Sequence, residues 1–283
     1  MSLSVPPAVE FEGVSFAYPD GPPVLREISL SIPAGESVAI IGVNGSGKTT
    51  LLRHLIGLLH PQQGCVRING LDTQEVSVAM LARHVGFAFQ KPEHQLFSPT
   101  VRDEIAFGPR NQGLRGAALE ARVAETLAQF GLTQLADYPP AVMSFSQRRL
   151  IALASIAALR TPILALDEPL VGLDGLWRRR VIAWLQAHLA AGGTSLLVTH
   201  QLRLAGKARR VLVMHRGRLI ADGPPGEVFA HPELLAAAGL TAHFSVALGH
   251  ALGLPRPALR IRDLLEALAA PPEVGPGFPE SNL

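Results

Sequence analysis

The sequence predicts an α/β fold in which a mainly parallel sheet carries helices on both faces. Three observations support this prediction. Apolar runs of strand length alternate with stretches of helical periodicity from Val9 to Ile220. A glycine-rich turn joins one buried strand to a helix, and other apolar strands end abruptly in polar residues. Alternation of this kind is typical of strands joined by helical crossovers, so neighbouring strands are expected to run parallel.

Each strand is predicted from a short apolar or alternating run. The predicted strands are residues 9–16, 24–32, 38–41, 65–68, 85–89, 163–166 and 195–198, followed by a closing hairpin of 211–214 and 218–220 around Arg216-Gly217. Helices are predicted after Lys48, across about 91–160 with turns at Gly108-Pro109 and Pro139-Pro140, and over 177–190. Residues 233–240, 244–252 and 259–268 are Ala/Leu-rich and could be helical, and the tail 271–283 is expected to be loose.

The composition limits the class of protein. The chain has 283 residues and a net charge of +2, too small to indicate a nucleic-acid-binding protein. Cys65 is the single cysteine, which fits a reducing compartment. The N-terminus lacks a basic region followed by an apolar stretch, and no apolar run is long enough to span a bilayer. We therefore expect a soluble, cytoplasmic protein.

The glycine-rich turn fits the phosphate-loop pattern of Gly, four residues, then Gly-Lys-Ser/Thr. Backbone N–H groups of such a loop point at phosphate oxygens, and the following helix adds its positive dipole end. We expect Lys48 to reach the β- and γ-phosphates of a nucleotide and Thr49 to hold Mg²⁺. The candidate nucleotide-binding residues of the loop are Gly42, Asn44, Gly45, Ser46, Gly47, Lys48, Thr49 and Thr50. The alternative is a strand-to-helix turn without a ligand, which the scarcity of lysine disfavours, because Lys48 is one of only three.

Polar residues at three other strand ends are the candidates for catalysis. Asp167 and Glu168 follow a buried strand; the first can hold Mg²⁺ and the second can act as general base on water. The alternative for Asp167 is a helix N-cap. Gln90 and His200 also follow strands. Gln90 can reach Mg²⁺ and the attacking water, and His200 can contact the γ-phosphate, although each alone would be an ordinary structural residue.

These motifs resemble, in order and spacing, those of the ATP-binding-cassette ATPases over roughly residues 8–240. The resemblance implies ATP and Mg²⁺ as cofactors and a phosphate-loop fold with a RecA-like parallel sheet core and N-terminal antiparallel strands. It also implies an ATP-binding domain over 1–225 with an inserted helical subdomain at about 91–160, and a small C-terminal helical extension at 226–283. Tyr18 stands where the family stacks an aromatic on adenine, although a turn aromatic is an equal alternative. Asp174 matches a loop that crosses to the opposite subunit.

The family signature, normally Leu-Ser-Gly-Gly-Gln, falls at residues 143–147 and departs from the pattern. Ser144 and Gln147 are retained, whereas Phe145 and Ser146 replace the glycines and Leu150 replaces an arginine. In the family this segment closes over ATP held by the other subunit, so Ser144, Ser146 and Gln147 are candidate nucleotide contacts. A positive φ or a close approach at Ser146 would cost about 1 kcal/mol or more. We therefore expect a functional but slow site.

Residues 89–101 and 103–111 look like those of the energy-coupling-factor transporters, and most like their cobalt and nickel branch. This resemblance implies a peripheral ATPase on the cytoplasmic face of the cell membrane that works as a homodimer or with a paired ATPase subunit. The implied partners are a transmembrane coupling subunit, docked near residues 90–110, and a substrate-binding membrane subunit. A vitamin importer, a heterodimeric ATPase pair, a non-transport ATPase acting on nucleic acid or ribosomes, and a non-hydrolytic structural subunit are the alternatives.

Overall fold

The computed structural model describes residues 6–240 together with Leu248 and Glu266. The strands are β1 Val9–Ala17, β2 Pro23–Ile32, β3 Ser37–Ile41, β4 Gln63–Ile68, β5 Leu71–Asp72, β6 Val85–Ala88, β7 Ile163–Asp167, β8 Thr194–Val198, β9 Arg210–His215 and β10 Arg218–Gly223. The α-helices are α1 Lys48–His54, α2 Val78–Leu81, α3 Val101–Asn111, α4 Gly116–Phe130, α5 Phe145–Leu159, α6 Gly175–Ala190, α7 Leu202–Ala205, α8 Pro225–Val228 and α9 Pro232–Ala237.

Two sheets form the core. The larger sheet has the order β10-β9-β3-β8-β7-β6, and its neighbours are parallel except for the antiparallel hairpin β9–β10. The smaller sheet has the order β2-β1-β4-β5 and is antiparallel throughout. The predicted α/β class, the parallel core with N-terminal antiparallel strands and the closing hairpin are therefore confirmed.

The side chains of β3 show how the larger sheet is covered on its two faces. Val38 and Ile40 join a cluster that includes Leu51 and Leu52 of α1 and apolar residues of the smaller sheet. Ala39 and Ile41 point to the opposite face and pack against α7 to α9. Helices thus lie on both faces, as predicted, but on the first face α1 is sandwiched between the two sheets.

A helical segment, α3 to α5, is inserted between the paired strands β6 and β7 and packs on α6 through a second apolar cluster. The predicted turn at Gly108-Pro109 is wrong, because α3 continues through both residues. A Cβ at Gly108 would lie closer than 3.0 Å to the side chain of Leu159. Pro109 has no N–H to donate to the helix, and the close packing of α3 on α5 compensates for the missing hydrogen bond. The boundaries of this segment as a subdomain stay a prediction.

The C-terminal part of the chain is described only to residue 240, apart from Leu248 and Glu266. Within it, α9 corresponds to the helix predicted at 233–240. The candidate helices at 244–252 and 259–268 lie outside the described residues except for Leu248 and Glu266, and the tail 271–283 lies wholly outside them. Across the part of the chain that the structure describes, none of the helices has the length and apolar character needed to cross a membrane.

Candidate functional site

The carboxyl ends of four parallel strands meet at one edge of the larger sheet. The phosphate loop follows β3, Gln90 follows β6, Asp167 and Glu168 lie at the end of β7, and His200 follows β8. Ligands of open α/β sheets bind at this edge. A cleft of about 560 Å³ opens here. It is lined by Tyr18, Val24, Asn44, Gly45, Gly47, Lys48, Thr49, Thr50, Gln90, Asp167, Glu168, Val198 and His200.

The phosphate loop takes a backbone course that requires glycine. Gly42, Gly45 and Gly47 have φ values of 151°, 79° and 105°, and Gly47 is the N-cap of α1. Lys48 is almost fully buried, and its ammonium donates to the carbonyl oxygens of Gly42 and Val43, both at 2.8 Å. Burial lowers the pKa of Lys48, while the negative charges of the nearby acid pair oppose that shift. The loop thus curls around a positive charge at the floor of the cleft.

Oxygen atoms suited to Mg²⁺ gather beside this lysine. The Thr49 hydroxyl donates to Oδ2 of Asp167 at 2.6 Å, and Gln90 lines the same cleft. Asp167 is only 2% exposed, and burial raises the pKa of its carboxyl although the Thr49 hydrogen bond and Lys48 act in the opposite direction. A hydroxyl, a carboxylate and an amide carbonyl are hard oxygen donors of the kind that Mg²⁺ prefers. The residues present therefore fit this cation.

Glu168 and His200 also line the cleft. Glu168 has a φ of 50°, unusual for a residue with a Cβ, and its N–H donates to Val198 O at 3.0 Å. Its Oε1 is buried and accepts no hydrogen bond from the described residues, although Nε2 of His200 lies 3.5 Å away. Burial raises the pKa of Glu168, and the backbone N–H of His200 partly opposes this. Burial, together with the charge of Lys48, lowers the pKa of His200. The Glu168 carboxylate therefore lines the cleft with one buried oxygen that has no hydrogen-bond partner among the described residues.

The Tyr18 ring lies at the mouth of the cleft and is held from two sides. It packs edge-on against Phe16 with the ring centroids 5.0 Å apart, and its hydroxyl lies 3.3 Å from Oγ1 of Thr50. Arg53 donates to the same hydroxyl at 3.4 Å. Tyr18 thus lines the cleft with its ring and hydroxyl both in contact with neighbouring side chains. Stacking on adenine stays a prediction.

The signature residues lie outside the cleft, at the start of α5. The Ser144 hydroxyl accepts from the N–H of Gln147, and Oε1 of Gln147 accepts from the N–H of Ser144 at 2.9 Å, so the pair forms a capping box. Ser146 stands in the first turn of this helix and is not among the described residues with positive φ. Its hydroxyl donates to the carbonyl oxygen of Gly172. A positive φ at Ser146 therefore does not occur, because the helix begins at Phe145. A cost from close approach of Ser146 to a nucleotide stays a prediction.

Asp174 also lies outside the cleft. It is the N-cap of α6, and its Oδ1 accepts from the N–H groups of Leu176 and Trp177, both at 2.9 Å. Both of these hydrogen bonds use Oδ1 of the carboxylate. The contact across subunits stays a prediction.

Arg149 contacts the site but was not predicted from the sequence. Its guanidinium, on α5, donates to the carbonyl oxygens of Phe89 and Gln90 at the end of β6. The sequence offered one weak signal, a charged residue directly before the apolar helical run that begins at Leu150. Sequence alone does not show that this face of the helix meets a strand end.

Comparison with known proteins agrees with this geometry. The family model described as "ABC transporter" matches residues 25–171, from β2 through the acid pair. The chain belongs to the ABC transporter family. As a member, it is an ATPase subunit with an ATP-binding cassette, and the predicted resemblance is confirmed.

Individual relatives indicate that, within this family, the chain is of the energy-coupling-factor type. The cobalt import ATP-binding protein CbiO of Rhodobacter capsulatus is 39% identical over 273 residues, which cover 93% of this chain and 98% of that protein. The energy-coupling factor transporter ATP-binding protein EcfA of Methanothermobacter thermautotrophicus is 40% identical over 235 residues, covering 82% of this chain and 76% of that protein. The solved structure of cbiO1 from Clostridium perfringens, part of the cbiONQ complex, superimposes with a TM-score of 0.71 at 30% identity, covering 88% of this chain and all of that one.

Proposed function

We propose that this chain is the ATP-hydrolysing subunit of an energy-coupling-factor importer, and that two ATPase subunits close around two Mg·ATP molecules to drive uptake of cobalt or nickel ions. The convergence of Lys48, Asp167, Glu168 and His200 in one cleft carries the proposal. Each of these side chains has a place in phosphoryl transfer, and two adjacent buried acids beside a buried lysine suit a site for Mg²⁺ and phosphate.

The proposed reaction depends on positioning and on compensation of charge. Lys48 exchanges its loop carbonyls for the β- and γ-phosphate oxygens of ATP. Glu168 orients a water molecule for attack on the γ-phosphorus, and His200, whose Nε2 lies beside Glu168, contacts the γ-phosphate. When bound, Mg²⁺ would neutralise charge on the phosphates. The residues proposed to hold it are Thr49, Asp167 and Gln90.

Dimerisation is supported by the surface around the signature segment. Val142 and Leu176 are 73% and 50% exposed, and the apolar side chains of Phe145 and Val171 are also exposed. All four lie next to the signature segment or to Asp174 in the sequence. Apolar side chains exposed together are typical of a surface that a partner covers. In the proposed dimer this surface closes over ATP bound in the other subunit.

A second apolar surface supports docking of a transmembrane coupling subunit on the cytoplasmic face of the membrane. A groove of about 520 Å³ between α2 and α3 is lined by Met80, Phe107 and Asn111 among other residues. Next to it, the rings of Phe97 and Phe107 pack edge-on at 4.7 Å, and Phe97 is 67% exposed. We propose that a membrane partner covers these rings.

The experiment is transport by the assembled complex. The chain is co-expressed with its membrane partners and reconstituted into vesicles, and ATP-driven uptake of Co²⁺ and Ni²⁺ is compared with uptake of vitamins. The Glu168→Gln complex serves as the control without hydrolysis. The expected result is uptake of Co²⁺ or Ni²⁺ by the wild-type complex and no such uptake by the Glu168→Gln complex. Uptake of a vitamin instead would overturn the metal assignment, and failure to bind any membrane protein would overturn the transport proposal.

Dimerisation has its own test. With Mg·ATP, the isolated Glu168→Gln variant should elute at twice the monomer mass in size-exclusion chromatography with light scattering. A variant that stays monomeric until a second ATPase subunit is added would identify a heterodimeric pair instead.

A further inference from the structure

Arg149 is a buried arginine on the second turn of α5. Only 2% of its surface is exposed. Nη1 donates to the carbonyl oxygen of Phe89 at 3.2 Å, and Nη2 donates to that of Gln90. Its Nε has no hydrogen-bond partner among the described residues. The guanidinium is thus directed at the short backbone segment that leaves β6 and carries Gln90 into the cleft.

Packing alone does not account for a guanidinium at this position. Burial lowers the pKa of Arg149, and the nearby carboxylates of Asp167, Glu168 and Glu93 only offset this in part. Apolar side chains such as Leu150 and Leu153 fill the same helix at full burial. Burying an apolar residue at this position would cost less free energy than burying a partly paired charge.

The guanidinium is held in place by its own helix. The Phe145 ring lies one turn earlier, at the i, i+4 spacing, with the guanidinium carbon 5.5 Å from its centroid. The capping box at Ser144 fixes where α5 begins. The position of α5 therefore determines where the two donors of Arg149 lie.

We propose that Arg149 is a positioning residue for ATP hydrolysis, which fixes the carbonyl groups of Phe89 and Gln90 so that the Gln90 side chain stays at the cleft beside Thr49 and Asp167. This inference rests on the proposed role of Gln90 in the reaction. Arg149 does not line the cleft, so it acts through Gln90 and not on the nucleotide. Because α5 also begins with the signature segment, the same helix joins that segment to the Gln90 segment within one subunit.

Loss of the two donors should slow hydrolysis without weakening nucleotide binding. Arg149 donates to Phe89 and Gln90 and does not line the cleft that holds Lys48, so the affinity for ATP should stay unchanged. Turnover at saturating Mg·ATP should fall about tenfold in Arg149→Met, equivalent to about 1.4 kcal/mol in the barrier. Arg149→Lys keeps the charge and can donate from a single nitrogen, but it lacks the fork geometry of the guanidinium, so it should recover part of the rate.

A double-mutant cycle tests whether Arg149 acts through Gln90. Turnover and ATP affinity are measured for the wild type, Arg149→Met, Gln90→Ala and the double variant, with urea unfolding to verify each fold. Arg160→Met is the matched control, because Arg160 is an exposed arginine at the C-terminal end of the same helix and pairs with Glu125. The expected result is that Arg149→Met has no further effect once Gln90 is alanine, and that Arg160→Met turns over like the wild type.

Two results would overturn the inference. If Arg149→Met slows turnover by the same factor in both backgrounds, or not at all while Gln90→Ala does slow it, Arg149 does not position Gln90. If Gln90→Ala itself leaves turnover unchanged, the proposed role of Gln90 fails and the inference fails with it. Should Arg149→Met not fold, the same cycle with Arg149→Lys decides between these outcomes.

Discussion

Gly42, the first glycine of the phosphate loop, lies directly against strand β9. A Cβ added here would lie closer than 3.0 Å to the carbonyl oxygen of Met214 and 2.8 Å from Oγ of Ser46. The backbone of β9 cannot move away easily, because Val213 pairs with Ile41 in the parallel sheet. We therefore expect Gly42→Ala to displace the loop from the sheet and to lower the free energy of unfolding.

Gly45 provides a matched control in the same loop. Its φ is 79°, but no heavy atom lies within 4 Å of an added Cβ. Both substitutions put a residue with a Cβ at positive φ, at a cost of about 1–2 kcal/mol. Gly42→Ala adds an overpacking cost of about 1–3 kcal/mol. The expected loss is therefore about 2–5 kcal/mol for Gly42→Ala and about 1–2 kcal/mol for Gly45→Ala.

Urea unfolding without nucleotide, followed by circular dichroism, measures this difference. The free energy of unfolding should fall with urea concentration at the same slope in both variants, so that the midpoints report stability. An equal loss of stability in the two variants would refute the reasoning, since only Gly42 meets the β9 backbone.

Three further predictions concern the cleft and its surroundings. Lys48→Ala should keep its fold but lose ATP binding in calorimetric titration, because the loop then lacks its charge at the phosphates; wild-type affinity would contradict this. Burial lowers the pKa of His54 below its ordinary value of 6.5, so the unfolded chain binds the proton more readily and stability falls as pH drops below that value. In His54→Phe, the free energy of unfolding should decrease less between about pH 7 and pH 5 than in the wild type. An equal decrease in the two proteins would show that His54 is not the group responsible. Ser146→Gly removes the hydrogen bond to Gly172 and relieves no strain, so it should cost about 1 kcal/mol of stability and leave phosphate release no faster; a clear acceleration would show that the hydroxyl obstructs the cycle.

The residues of the cleft were predictable because strand ends are visible in the sequence. Apolar runs stop abruptly at Asp167 and shortly before Gln90 and His200, and parallel strands bring their carboxyl ends to one edge. The left-handed backbone of Glu168 was not predictable, since nothing in the residue type requires it. Its N–H donates to Val198 on the neighbouring strand, which continues the pairing of β7 with β8.

The signature segment shows how a local capping signal determines the backbone. Ser144 and Gln147 have the spacing of a capping box, and the helix begins at Phe145 between them. The positive φ considered for Ser146 does not occur, because this residue lies in the first turn of that helix. A close approach of Ser146 to a nucleotide stays a prediction.

Other differences arose from contacts between distant parts of the chain. Close packing on Leu159 keeps α3 helical through Gly108-Pro109, and the short elements β5 and α2 were not predicted at all. Arg149 was missed for the same reason, because its partners are backbone carbonyls about 60 positions earlier in the chain. Sequence periodicity reports which face of a helix is apolar, but not which strand end that face meets.

ATP hydrolysis at this cleft is tested by phosphate release from Mg·ATP by the wild type and by Glu168→Gln, with ATP binding measured in the same preparations. We expect equal binding and release slower by about a hundredfold or more in the variant, because Glu168 orients the attacking water. Equal rates of release in the two proteins would remove Glu168 from the mechanism.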